Sequence, residues 1–154
     1  MSERLPGWLP TTRRYLLAAA FGNLAWETIQ LPLYTLWRTG TPGEIGFAVI
    51  HCTLGDVAIA AASLTLALGL VGSAEWPVRG FIPVLVISMV LGAGYTVYSE
   101  YLNVVVRRSW AYSNLMPVLP GLNTGLAPLL QWIVLPPLAL ALARRAPKGF
   151  ASCI

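Results

Sequence analysis

Charge is scarce in this chain. Only 10% of its 154 residues are Asp, Glu, Lys or Arg, where a water-soluble domain carries roughly a quarter. That shortage excludes an ordinary soluble globule and a disordered tail. A nucleic-acid-binding surface is excluded as well, because it needs its bases clustered on one folded face. Cysteine is nearly absent. Cys52 and Cys153 form no C-x-x-C pair, and the topology argued below separates them too widely for a bridge. There is no phosphate-cradling glycine loop, no serine nucleophile elbow and no haem-attachment motif, so nothing supports hydride, phosphoryl or acyl transfer.

What the chain has is hydrocarbon: 56% of its residues are hydrophobic. Four membrane-crossing helices of about 20 residues each would use nearly all of them. Four apolar runs are long enough, at about 15–37, 42–71, 81–103 and 126–143. The sequence therefore predicts a single all-α membrane domain over 1–154, four transmembrane helices in an antiparallel bundle. Thr41, Pro42 and Glu44 make an N-cap, first-turn proline and capping-box signature at the start of the second run. Pro136 and Pro137 remove two backbone donors inside the fourth, where a kink is expected. The connection 104–125 is long and holds Trp110, Tyr112, Pro117, Pro120 and Gly121. It suits a segment lying on the membrane surface or folding back as a lid.

The bases flank the apolar runs. With four crossings, one side carries Arg4, Arg13, Arg14, Arg79, Arg144, Arg145 and Lys148, and the other Arg38, Arg107 and Arg108. Seven against three favours cytoplasmic termini and a bacterial inner-membrane, multi-pass location. Arg13-Arg14 followed by an apolar stretch resembles an export signal. The apolar character runs on to Trp37, longer than a signal core, so retention as the first span is expected.

Ionisable groups at membrane depth are costly and so are informative. Glu27, Asp56 and Glu100 lie in three different runs. Asn23, Glu27, Gln30 and Tyr34 share one helical face, and Thr96, Glu100, Asn103 and Arg107 repeat the same offsets. Cys52, Thr53 and Asp56 share a face of the second helix, with His51 pointing about 140° away from Asp56. Gln131 occupies the fourth. Small residues (Ala19, Ser88, Gly92) hold the other half of these faces and permit close packing. The expected picture is tight at the inner end and opens outward onto a polar pocket.

Several uses of that pocket follow. Glu27, Asp56 and Glu100 are candidate acid/base or hydrogen-bonding groups for a small amphipathic or lipid-like ligand. Gln30, His51, Asn103, Arg107, Trp110, Tyr112 and Gln131 are the candidate binding residues, with Arg107 or Arg108 able to hold an anionic headgroup. The competing structural account pairs Glu100 with Arg107 or Arg108, and Glu27 with Gln30, Tyr34 or Gln131, as glue between helices. A metal site from His51, Cys52, Asp56, Glu27 and Glu100 is a second class. It lacks an i, i+4 chelate, so no metal ligands are assigned and no cofactor is identified. A third class is a non-catalytic subunit of a larger membrane complex, or a homo-oligomer. Proton or ion conduction is the weakest, since four helices rarely enclose a path alone. Partners are the bilayer and a lipid-like small molecule, with no nucleic acid.

The strings WETIQLPLYTLW (26–37), HCTLGD (51–56), YSEYLN (98–103), WAY (110–112) and GLAPLLQW (125–132) resemble small four-helix bacterial inner-membrane proteins of no assigned activity. The resemblance touches all four runs and the long loop, and implies the fold and location without a reaction. Sterol-isomerase-like membrane proteins, which also gather His, Glu and Asp in a pocket, offer an architectural parallel only, because the spacing here differs from theirs.

Overall fold

A computed structural model describes residues 7–145. Arg4, Lys148 and Cys153, which enter the charge and disulfide arguments, lie outside the described residues. The chain is mostly helical. Its elements are α1 (Trp8–Gln30), a 3₁₀ turn (Leu31–Leu33), α2 (Leu36–Thr39), α3 (Pro42–Val71), α4 (Phe81–Glu100), a π-helical turn (Tyr101–Val106), strands β1 (Val118–Leu119) and β2 (Thr124–Gly125), and α5 (Leu126–Arg144).

Among the described residues, three helices are long and apolar enough to cross a membrane: Pro42–Val71, α4 with its π turn (Phe81–Val106), and Leu126–Arg144. Large apolar side chains such as Phe47, Leu70 and Leu138 are exposed on them. Such surfaces suit hydrocarbon as solvent, where backbone groups must be satisfied within each helix. The chain is in this respect consistent with a membrane protein.

α1 differs from the expected 15–37 run. It starts seven residues earlier and stops at Gln30, because Pro32 cannot continue the helix and Leu31–Leu33 tightens into a 3₁₀ turn. Tyr34 is extended, so the helical offset that placed it with Asn23, Glu27 and Gln30 no longer applies. At α3 the full capping box forms: Thr41 Oγ accepts from the Glu44 N–H and the Glu44 carboxylate accepts from the Thr41 N–H at 2.8 Å. α5 runs through Pro136 and Pro137 to Arg144.

α1 packs on α3 and α5, and α4 packs on α3 and α5, so the four long helices close a ring in chain order. The dry core occupies the half nearest the 72–80 connection, with Tyr15, Leu64, Ala67, Trp76, Val84, Leu140 and Ala143 buried. Small residues let the helices approach there. Gly92 lies against the Trp132 ring, and any Cβ at that position would collide with it. Arg144 stacks its guanidinium over Phe81 at 4.6 Å at the same end.

The other end is closed by the 104–125 connection, which folds back onto the break after α1. Thr35 N–H donates to the Ala111 carbonyl (2.9 Å), Ser113 N–H to Leu33 (2.9 Å) and Ser113 Oγ to Pro32 (3.0 Å). The carbonyl and amide groups freed by the broken helix are thereby used. The β1–β2 hairpin turns through Gly121 and Asn123, both at positive φ.

Candidate functional site

The cavity of about 1220 Å³ lies between α3 and α4, with α1 and α5 behind it. Its size is above the usual range for a small-ligand pocket, about 300–1,000 Å³. Of the ten sequence-named residues, Glu27, Gln30, His51, Asp56, Glu100, Asn103, Arg107, Trp110 and Gln131 line it. Tyr112 does not line it and acts from behind. Arg108 is absent from the wall and carries a left-handed backbone, φ 55°.

Two polar groups meet at the back wall. Gln131, on α5, points its amide nitrogen at Asp56 Oδ2 on α3 (2.6 Å) and at Asn23 Oδ1 on α1 (2.7 Å). One side chain thus ties three helices together. Glu27 lies within hydrogen-bonding reach of Asp56 and of Gln131, and accepts from Gln30 Nε2 at 2.7 Å. The two carboxyls face each other with no cation between them.

Glu100 forms the second group. It is only 6% exposed and accepts a hydrogen bond from the Tyr112 hydroxyl. That hydroxyl in turn accepts from the Gly125 N–H at 2.8 Å. The Trp110 indole N–H is buried and has no hydrogen-bond partner among the described residues. Burial, with Glu100 beside it, pushes the Tyr112 phenol well above its ordinary value. Tyr112 therefore remains a donor at any ordinary pH.

The Glu100 pairing with Arg107 or Arg108 that the structural-glue account requires does not occur among the described residues. The π-helical turn after Glu100 is the physical reason: it widens the helix, as the Arg107 N–H bond to Leu102 records, and displaces Arg107 from the α-helical offset. Asn103 turns back to donate to the Ser99 carbonyl at 2.9 Å. Among the described residues the ion pair found is Arg79–Glu75, on the 72–80 connection. His51 stacks on Phe47 with ring centroids 5.5 Å apart at the exposed side of α3. No three His, Cys, Asp or Glu side chains among the described residues come together as a metal-holding group. Cys52 is a free thiol.

Two contributors were not singled out as site residues from the sequence. Asn23 belongs to the polar face of α1 that the periodicity already exposes, and its partner Gln131 was the missing half. Trp132, which lines the cavity and packs on Gly92, gave no cue beyond its position after Gln131.

Fold and site together define a mostly helical protein with three membrane-crossing candidates and a carboxyl-lined cavity running along α3. No family model matches the chain, and no curated protein or solved structure is similar to it.

Proposed function

We propose that the protein is an integral inner-membrane protein of four transmembrane helices, α1 being the fourth crossing, with both termini cytoplasmic. Its cavity binds a small amphipathic or lipid-like ligand. Glu27, Asp56 and Glu100 supply hydrogen-bonding or acid/base groups, Gln131 and Asn103 orient them, and the 104–125 connection serves as a lid. The observation that carries this reading is the convergence of carboxyls from α1, α3 and α4 on one cavity, none of them paired with a cation among the described residues. The glue account is met in part, since Gln30 pairs Glu27, Gln131 pairs Asp56 and Tyr112 pairs Glu100, but these donors are neutral, and a carboxylate without a cation at membrane depth costs about 2.5–3.5 kcal/mol. An apolar mouth formed by residues such as Phe47 and Leu66 suits a hydrocarbon chain.

The test is native mass spectrometry of the protein extracted in mild detergent. A bound lipid-like species should be retained by the wild type and reduced in Glu100→Gln. Occupancy indifferent to that substitution, or replaced by a stoichiometric partner subunit, sinks the reading.

A further inference from the structure

The charge lining the cavity is one-sided. Glu27, Asp56 and Glu100 contribute three carboxyls against a single arginine, Arg107, while Glu44 is exposed at the edge and held in its capping box. Arg107 is exposed at the rim and makes no ion pair with any of them. Glu27 and Asp56 sit together at the back, where their donors are the side-chain amides of Gln30 and Gln131. Neutral amides orient two adjacent carboxyls but do not neutralise them, so the pair calls for a positive charge or a shared proton.

A second observation is independent of the acids. Gln30 is 6% exposed and lines the cavity, and its amide nitrogen is committed to Glu27. That commitment fixes which end of the amide is oxygen. The remaining atom, Oε1, is buried and no protein donor reaches it. A buried acceptor left without a donor is costly. What it lacks is an N–H or O–H, next to two carboxyls that lack a cation.

Tyr34, Tyr95, Trp110 and Trp132 also contribute to the lining. Ile59, Ala62, Leu66 and Leu91 give the groove between α3 and α4 an apolar stretch, with Ser63, Thr96 and Ser99 as its hydroxyls.

We propose that the ligand is an amphipathic amine, its protonated nitrogen donating to Glu27, Asp56 and Gln30 Oε1 while its hydrocarbon chain lies in the α3–α4 groove. This rests on the cavity reading above and narrows it to one headgroup chemistry. The amine is either a free alkylamine-like molecule or the headgroup of an aminophospholipid. An anionic headgroup, which Arg107 alone would have to hold, meets three carboxyls.

The experiment uses the full chain in phosphatidylcholine nanodiscs, titrated with tetradecylamine, tetradecanol and tetradecanoate and read by native mass spectrometry. Tetradecylamine should bind saturably at one site, and Glu27→Gln and Asp56→Asn should each weaken it by about tenfold or more. Gly94→Ala, at a position with open space around it, is the control and should bind as wild type. Should one carboxyl variant not fold, the other carries the comparison. Competition then separates the sources. Displacement of the amine by phosphatidylethanolamine assigns a lipid headgroup, and no displacement assigns a free amine, either result supporting the amine. Tetradecanol or tetradecanoate binding as tightly as the amine, indifferent to both substitutions, overturns the amine while leaving the cavity reading intact. No saturable binding of any probe, or stoichiometric uptake of zinc alone, overturns both.

Discussion

The Gln131 amide nitrogen lies 2.6 Å from Asp56 Oδ2, joining the helix that ends the fold to the middle of its longest helix. The same nitrogen serves Asn23 on α1. Three helices therefore depend on a single donor group, at the boundary between the dry core and the cavity.

Gln131→Leu should destabilise the protein. It removes the donor and leaves both Asp56 and Asn23 short of a partner, at a cost of about 1–3 kcal/mol for each buried group stranded. Reversible unfolding in mild detergent measures it. Gln131→Glu should be worse, because it brings a further acid against Asp56. A Leu variant as stable as wild type would show that the three-way contact contributes little.

Tyr112→Phe should loosen the 104–125 connection while sparing the helices. The phenol is both donor to Glu100 and acceptor for the Gly125 N–H, and the substitution removes both bonds. The expected cost is about 1–3 kcal/mol, confined to this region. Hydrogen exchange should rise in 104–125 and stay unchanged in α3. Uniform change along the chain would contradict a local latch.

The same latch sets a pH dependence. Burial and the neighbouring Glu100 raise the Tyr112 phenol above its ordinary 10.0 in the folded protein. A raised value means that the folded state holds the proton more tightly than the unfolded one. The contribution is fully present below about pH 10 and is lost as pH rises through the folded value. Protection of 104–125 from proteolysis should therefore be flat from neutral pH to about 10, then fall. In Tyr112→Phe the alkaline fall attributable to this group should vanish.

Gly92→Ala should be destabilising by about 1–3 kcal/mol, since the new methyl would strike the Trp132 ring and the core has no slack there. Gly94→Ala, two residues on and with nothing within 4 Å of the added carbon, should be neutral or slightly stabilising. Thermal unfolding of the pair separates close packing from helix propensity. Equal behaviour of the two variants would remove the packing argument.

Much of the fold is legible locally. The capping box at Thr41 and Glu44 depends on four consecutive residues and the unsatisfied donors of one helix end, and it forms as the sequence indicates. The apolar runs of α3, α4 and α5 follow from composition over about 20 residues. α1 was less readable, because hydrophobicity continues through Leu31–Trp37 while Pro32 ends the helix. The π turn was not readable at all. Nothing in YLNVVV announces it, yet it displaces Arg107 from the position that helical arithmetic assigns and frees Glu100 for Tyr112.

The amino-acid sequence alone determined that the chain is unusually apolar and poor in charge, where Glu27, Asp56 and Glu100 fall along their helices, and which residues share a helical face. Those properties are local: they depend on composition and on a repeat of about 3.6 residues. Only the tertiary structure decided that Glu27 meets Asp56, that Gln131 bridges Asp56 and Asn23, and that Tyr112 rather than an arginine holds Glu100. Such pairings depend on which helices are neighbours and on how each is rotated about its axis. Contacts distant in sequence, such as Gly92 against Trp132 and the loop docked on the break after α1, set both.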